Sequence, residues 1–316
     1  MIVAKDPKEL AESLSASCVT IGNFDGVHKG HQKLISRVIQ RGAKLSMLSV
    51  VVTFEPHPLR VITGKKTPPF ITLIEQKLEL ISAMGVEACL VLPFDKAMAA
   101  MPPEEFVKQY LVDGLAMKDL VIGYDYAFGK GRRGDHTLLR ALGEEYGYSL
   151  ERLDPVIIDG AVVSSTRIRD MVQAGNVWDV PNLLGRFYQI RGRVIEGFGR
   201  GASLLGFPTA NLELQDELFP KPGVYAVWVQ CPELSELPLM AVANIGFNPT
   251  FGNERLSVEA HILDFKKDIY GQELKIHFVQ RIRDERKFSG PQDLVARIRE
   301  DVSLGREILS APEALI

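Results

Sequence analysis

Cys18-Val19-Thr20-Ile21-Gly22-Asn23-Phe24-Asp25-Gly26-Val27-His28-Lys29-Gly30-His31 is the stretch that decides how this chain folds. Its first four residues read as a short apolar strand and its glycines as a turn. Leu34, Ile35, Val38 and Ile39 then recur at i, i+1, i+4 and i+5, the stripe that one face of a helix buries, with Gly42 expected to stop that helix. A strand running straight into a helix brings free helical N–H groups to the turn, where they attract phosphate oxygens. Gly22, Gly26 and Gly30 let the backbone approach such a ligand closely. His28 and His31 add donors facing the same space. The plain alternative is that both are half-buried polar residues at a helix cap. Two of the six histidines lying beside three glycines favour nucleotide chemistry, in which fixed dipoles and imidazole N–H groups meet charge developing on a phosphate.

Outward from this stretch, apolar strands are expected over 48–54, 86–92, 120–123 and 150–158. They alternate with helices over 73–84 (ended by Gly85), 104–115 (behind Pro102 and Pro103) and 138–146. That alternation predicts an α/β, doubly wound parallel sheet covered on both faces, with ligands at the carboxyl ends of its strands. The segments 22–31, 53–58 and 123–129 all follow strands, so they are expected to converge there. From Phe187 onward the period becomes two: Tyr188, Ile190 and Val194, then Leu256, Val258, Ala260 and Ile262, then Leu274, Ile276 and Phe278 alternate with polar residues. This predicts a small closed antiparallel β-barrel, followed by a terminal helix carrying Leu294, Val295, Ile298, Val302 and Leu309 after Pro291. The change of texture divides the chain into domains 1–183 and 184–316.

Bulk properties narrow the function. A length of 316 residues implies about two domains. A net charge of -3, from 37 basic and 40 acidic residues, argues against a general nucleic-acid binder. Cys18, Cys89 and Cys231 are odd in number, far apart and set in apolar runs, which reads as reduced core thiols. No stretch is long and apolar enough to span a bilayer, so a cytoplasmic address is expected, with no membrane partner.

Four further segments carry chemistry, and each has a plainer reading beside it. In Thr53-Phe54-Glu55-Pro56-His57-Pro58 the prolines can simply end a strand. Hydroxyls in Ser164-Ser165-Thr166-Arg167-Ile168-Arg169 can cap the helix that follows, but two arginines in its first turn oppose the helix dipole and need another reason, which a triphosphate supplies. Glycines at 197, 199, 201 and 206 are compatible with tight barrel turns. No G-x-x-x-x-G-K-[ST] motif occurs, which excludes a P-loop kinase. Glu259 alternates with Val258 and Ala260 and by itself reads as a solvated strand residue.

Gly22-to-His31 resembles the G-x-F-D-G-x-H-x-G-H signature of bacterial bifunctional riboflavin kinase/FAD synthetases, within the wider HxGH nucleotidyltransferases. Ser164–Arg169, Gly206-Phe207-Pro208-Thr209-Ala210-Asn211 and Val258-Glu259-Ala260-His261-Ile262 extend the resemblance in the family's order, as do 244–251 and 281–288. The resemblance implies an N-terminal nucleotidyltransferase domain that adenylylates FMN to FAD and a C-terminal barrel that phosphorylates riboflavin to FMN. Catalytic roles fall to His28, His31 and Glu259. ATP in the first domain is implied at Gly22, Phe24, Asp25, Gly26, Ser164, Ser165, Thr166, Arg167 and Arg169. Flavin there is implied at Phe54, Pro56, His57, Pro58, Asp125, Tyr126 and Phe128, while Ala127 departs from the arginine frequent in the family. In the barrel, ATP is implied at Gly201, Gly206, Pro208, Thr209 and Asn211, with Thr209 and Asn211 as oxygen ligands for Mg²⁺. Arg283 matches the family's flavin-side arginine, although the run around it also reads as a solvated charge string. The implied partners are riboflavin, FMN and ATP, with no obligatory protein partner.

Overall fold

A computed structural model describes residues 1–13, 15–64, 68–129, 131, 133–196, 206–250, 253–286 and 288–315. The chain divides into two compact units, Met1–Ser164 and Ser165–Ile316.

The first unit holds a six-stranded sheet, all parallel, in the order β1-β4-β3-β2-β5-β6. Its strands are β1 (Ile2–Ala4), β2 (Ser17–Ile21), β3 (Leu48–Glu55), β4 (Ala88–Pro93), β5 (Met117–Gly123) and β6 (Ser149–Leu153). Side-chain alternation assigns the strands to two cores. Val50 and Val52 pack with Leu90, Phe106, Leu111 and Leu139, while Val51 packs with Ile35, Ile81 and Cys89. The sheet is thus apolar on both faces, as the unbroken run Val50-Val51-Val52 requires. Its helices include α1 (Lys29–Leu45), α2 (Pro58–Thr63), α3 (Ile74–Ala83), α4 (Lys96–Ala100), α5 (Pro103–Phe106) and α6 (His136–Tyr146).

Several sequence expectations are corrected here. Gly42 does not stop α1, which runs on to Leu45 and is capped by left-handed Ser46. The glycine serves packing instead: a Cβ there would stand 2.8 Å from the Met47 carbonyl oxygen. Gly42→Ala would gain about 1 kcal/mol of helix propensity but force that backbone aside at about 1–3 kcal/mol. A lower midpoint in urea denaturation is the expected result. The helix expected over 104–115 is α5 followed by a π-helix over Val107–Asp113. The strand expected over 150–158 is broken at Asp154 and Pro155 into β6 and a small hairpin, β7 (Ile157–Ile158) with β8 (Ala161–Val162). Strand β1 and the short helices α2 and α4 had no clear periodic signal.

The second unit opens with α7 (Ser165–Ala174) and α8 (Val180–Leu184) and then forms a closed barrel, β10-β13-β12-β11-β14-β9. Its strands are β9 (Tyr188–Ile195), β10 (Ala210–Leu212), β11 (Gly223–Gln230), β12 (Leu239–Thr250), β13 (Asn253–Ile262) and β14 (Glu273–Arg283). Tyr188, Tyr225 and Phe278 fill the interior, with ring centroids 5.3 and 6.1 Å apart about Phe278. The terminal helix α9 (Pro291–Leu309) lies on the outer wall at Ala226, Trp228 and Val279. The expected stripe of Leu294, Val295, Ile298 and Val302 is only half-buried. The deepest residues are Asp301, Gly305 and Leu309, and a Cβ on Gly305 would meet Val242 Cγ2 at 2.7 Å.

Candidate active sites

In the first unit, parallel neighbours β3, β2 and β5 all end at one edge of the sheet, so the segments that follow them emerge side by side. After β2 the backbone turns through left-handed conformations at Phe24, Gly26 and Val27, with φ of 48°, 84° and 40°. Non-glycine residues adopt this region only where surroundings compel it. Here the compulsion is visible. The buried Asp25 carboxylate accepts hydrogen bonds from Ile71 N (3.0 Å) and Thr72 N (3.1 Å), and Gly26 N donates to Thr72 Oγ1 at 3.0 Å. Asp25 therefore fixes the loop from inside. Asp25→Ala would leave two buried N–H groups unpaired, at about 3 kcal/mol. Both a lower unfolding midpoint and slower chemistry at this edge are expected in that variant.

His28 is the N-cap of α1, and its Nδ1 accepts the His31 N–H at 3.3 Å. The cap reading and the functional reading are thus compatible, because the capping bond is made by Nδ1. The two imidazoles stack, with centroids 3.6 Å apart and planes at 16°. Phe24 meets His31 edge-on at 5.3 Å. Two glycines make room for these rings: a Cβ on Gly30 would lie 3.0 Å from His28 Cε1, and one on Gly22 would lie 3.1 Å from the Phe24 ring. His31 Nδ1 is buried with no partner among the described residues. Burial, then His28 and Lys77, hold the His31 pKa well below its ordinary value, so the ring is neutral near pH 7.

The flavin-side candidates gather beside this edge. His57 caps α2, accepting Leu59 N–H at 3.2 Å, and its ring lies 5.1 Å from Phe70, over which Arg60 stacks at 4.3 Å. Phe54 contacts Phe94 and Phe106, and Phe106 contacts Phe128, which stacks on Tyr126. This aromatic wall joins the segments after β3 and β5. Phe70, Phe94 and Phe106 were missed in the sequence because no local pattern separates them from core residues. Pro56 and Asp125 are exposed and Pro58 is half-buried. In the second unit, Ser165 opens α7; Ile168 and Val172 are buried, and Arg167 and Arg169 stand half-buried in the first turns. Ser164 precedes that helix as the last residue of the first unit, and Thr166 is exposed.

On the barrel, Val258, Ala260 and Ile262 point inward, so Glu259 faces outward. Register places Asn211 of β10 directly opposite Glu259 on one side and Asn244 of β12 opposite it on the other. Directly opposed residues have Cβ atoms about 5 Å apart on the same face of the sheet. Thr209 lies two residues before Asn211, at the entry to β10. His261 Nδ1 hydrogen-bonds with the Pro208 carbonyl at 2.8 Å and its ring meets Phe207 at 5.4 Å, which ties the segment carrying Thr209 to β13. Gly206 is left-handed, with φ of 74°. Gly197, Gly199, Gly201 and Ala202 lie outside the described residues. Arg283 forms a two-pronged ion pair with buried Asp301 on α9 (2.6 and 2.9 Å), which Arg297 also approaches at 3.3 Å. Hydroxyl, amide and carboxylate oxygens at Thr209, Asn211 and Glu259 form an oxygen-only donor set, the kind Mg²⁺ takes together with water and phosphate oxygens.

The FAD synthetase family matches residues 10–167 and the riboflavin kinase family residues 184–309. Over 299 residues the chain is 38% identical to the bifunctional riboflavin kinase/FMN adenylyltransferase of Escherichia coli strain K12, covering 94% of this chain and 95% of that protein. The same-named protein of Buchnera aphidicola subsp. Acyrthosiphon pisum is 35% identical over 305 residues, 96% of each. A crystal structure from Streptococcus pneumoniae, described as a macrolide-efflux protein, superposes with a TM-score of 0.83 at 31% identity, covering 96% of this chain and 98% of that one. Among the described residues here, no helix is long and apolar enough to cross a membrane.

Proposed function

The chain belongs to the bifunctional riboflavin kinase/FMN adenylyltransferase family, and from that premise we propose how its two halves divide the work and which residues carry it. It is an enzyme of flavin cofactor biosynthesis that phosphorylates riboflavin with ATP to give FMN and adenylylates FMN with a second ATP to give FAD and pyrophosphate. The observation that carries this reading is the match of two different families to consecutive halves of one chain.

Residues 1–183 are assigned adenylyl transfer. An FMN phosphate oxygen attacks the α-phosphorus of ATP, and the bond to the β-phosphate breaks. His28 and His31 meet the charge that develops, with the α1 N-terminus, Gly22, Phe24 and Gly26 framing the phosphates and Asp25 bracing the loop. Ser164, Ser165, Thr166, Arg167 and Arg169 are assigned to the departing pyrophosphate. Phe54, Pro56, His57, Pro58, Asp125, Tyr126 and Phe128 are assigned to the isoalloxazine and ribityl groups, a role supported by the aromatic wall.

Residues 184–316 are assigned riboflavin phosphorylation. Glu259 accepts the proton of the ribityl 5′-hydroxyl as its oxygen attacks the γ-phosphorus and ADP leaves. Gly201, Gly206, Pro208, Thr209 and Asn211 are assigned to ATP, and Arg283, braced by Asp301, to the flavin. Thr209 and Asn211 would hold Mg²⁺, which when bound neutralises phosphate charge. A cytoplasmic address fits the use of ATP in both steps and three buried free thiols.

The test is chromatography of products from riboflavin, ATP and Mg²⁺ over time. FMN should appear first and FAD after it, with ADP equal to FMN and FAD together and pyrophosphate equal to FAD alone. Accumulation of FMN with no FAD would remove the first-domain assignment.

A further inference from the structure

One buried cation in the first unit is left unused by the chemistry above. Lys77, in the first turn of α3, is 4% exposed. Its side chain forms no hydrogen bond and no ion pair with any described residue. Lysines this buried are ordinarily paired, so one with no protein partner is uncommon.

Its surroundings are specific. The charged groups that act on Lys77 include Asp25, in the turn after β2, and Glu55, at the end of β3, and Lys77 in turn acts on His31 in the first turn of α1. These three come from different elements and share only the carboxyl edge of the sheet. Asp25 is already engaged by the Ile71 and Thr72 N–H groups. Burial drives the Lys77 pKa down, against the pull of the two carboxylates. A polar atom at the same place, His31 Nδ1, is buried with no partner among the described residues. An ammonium on α3 with no hydrogen-bond partner among the described residues and a buried, unpartnered imidazole nitrogen on α1, within electrostatic reach of one another, mark a place that a group from outside the protein can complete.

We propose that Lys77 is a phosphate-binding residue of the adenylyl-transfer site, its ammonium held in reserve until a phosphate oxyanion of the substrates pairs with it. This rests on the assignment of adenylyl transfer to the first domain. The oxyanion belongs to ATP or to FMN, and the kinetics tell them apart.

Lys77→Met keeps the length and apolar stem of the side chain and removes its charge. FAD formation from FMN and ATP should fall by about 100-fold in kcat/KM, while riboflavin phosphorylation by the same preparation is unchanged. A rise in the KM for ATP alone identifies the polyphosphate, a rise in the KM for FMN identifies the flavin phosphate, and a fall in kcat alone identifies the transferred phosphorus. The thermal midpoint without ligand should hold or rise, since an unpaired charge has left the interior, and its upward shift on adding ATP or FMN should shrink. Lys77→Gln should behave like Lys77→Met in rate. FAD formation within about twofold of the unmutated enzyme in both variants overturns the proposal. So does a lower midpoint accompanied by loss of both activities, the mark of a lysine that only supports the fold. If the unmutated chain makes FMN but no FAD, the first-domain assignment falls and the proposal with it.

Discussion

His28→Ala is expected to lower FAD formation by about 10²–10³-fold with riboflavin phosphorylation intact. The ring has two jobs, and they can be separated. Its Nδ1 caps α1 through the His31 N–H, and losing a cap costs about 1 kcal/mol. That is too little to unfold a domain, and it would affect stability without regard to which reaction is assayed. Its imidazole and that of its stacked partner His31 are what the phosphate would meet. His28→Asn discriminates, because asparagine is among the best N-caps and restores an acceptor for the His31 N–H without restoring an imidazole. The melting temperature of His28→Asn should return close to that of the unmutated chain while FAD formation stays low. His31→Ala, which leaves the cap acceptor in place, should show the same kinetic defect. Normal FAD formation by His28→Asn would reduce His28 to a capping residue.

Glu259→Gln is the matching experiment on the barrel. The substitution keeps shape and polarity between Asn211 and Asn244 and removes only the capacity to accept a proton. Loss of a positioned general base costs about 10²–10⁴-fold, so FMN formation from riboflavin should fall by that factor while added FMN is still converted to FAD. The outward position of Glu259 beside an inward Val258 and Ala260 means that packing of the interior is untouched. A fall in the melting temperature is therefore not expected. Near-normal FMN formation would transfer the role of base to another group.

The two predictions share a feature that let the sequence put both candidate sites forward. Each sets its proposed reactive residues on or beside a periodic element whose burial is obvious: His28 and His31 by the Ile35–Val38 face of α1, Glu259 between Val258 and Ala260 on β13. Where the meaning of a residue depends on a distant segment, the sequence was silent or misleading. Gly42 reads locally as a stop, yet what it answers to is the Met47 carbonyl at the start of β3. Asp25 reads as a ligand contact, yet its carboxylate is directed at the amides of Ile71 and Thr72, 46 and 47 residues away. Phe106 and Lys77 have no motif at all, because their significance arises only when parallel strands bring β3, β5 and the start of α3 to one edge. The break at Asp154 and Pro155 was masked by apolar residues on both sides of it.

Barrel closure has a further consequence, for the order in which the protein can be made. Strand β14 pairs with β11 on one side and with β9 on the other, joining Phe278 to Tyr188. A nascent chain that has emerged only as far as residue 272 has two of its strands exposing unpaired edges, and no local pairing can seal them. The first unit, complete by Ser164, is under no such constraint and can fold while the ribosome is still at work. The kinase half must wait for β14 (Glu273–Arg283), which makes it the half at risk from premature termination and from partners that recognise open strands.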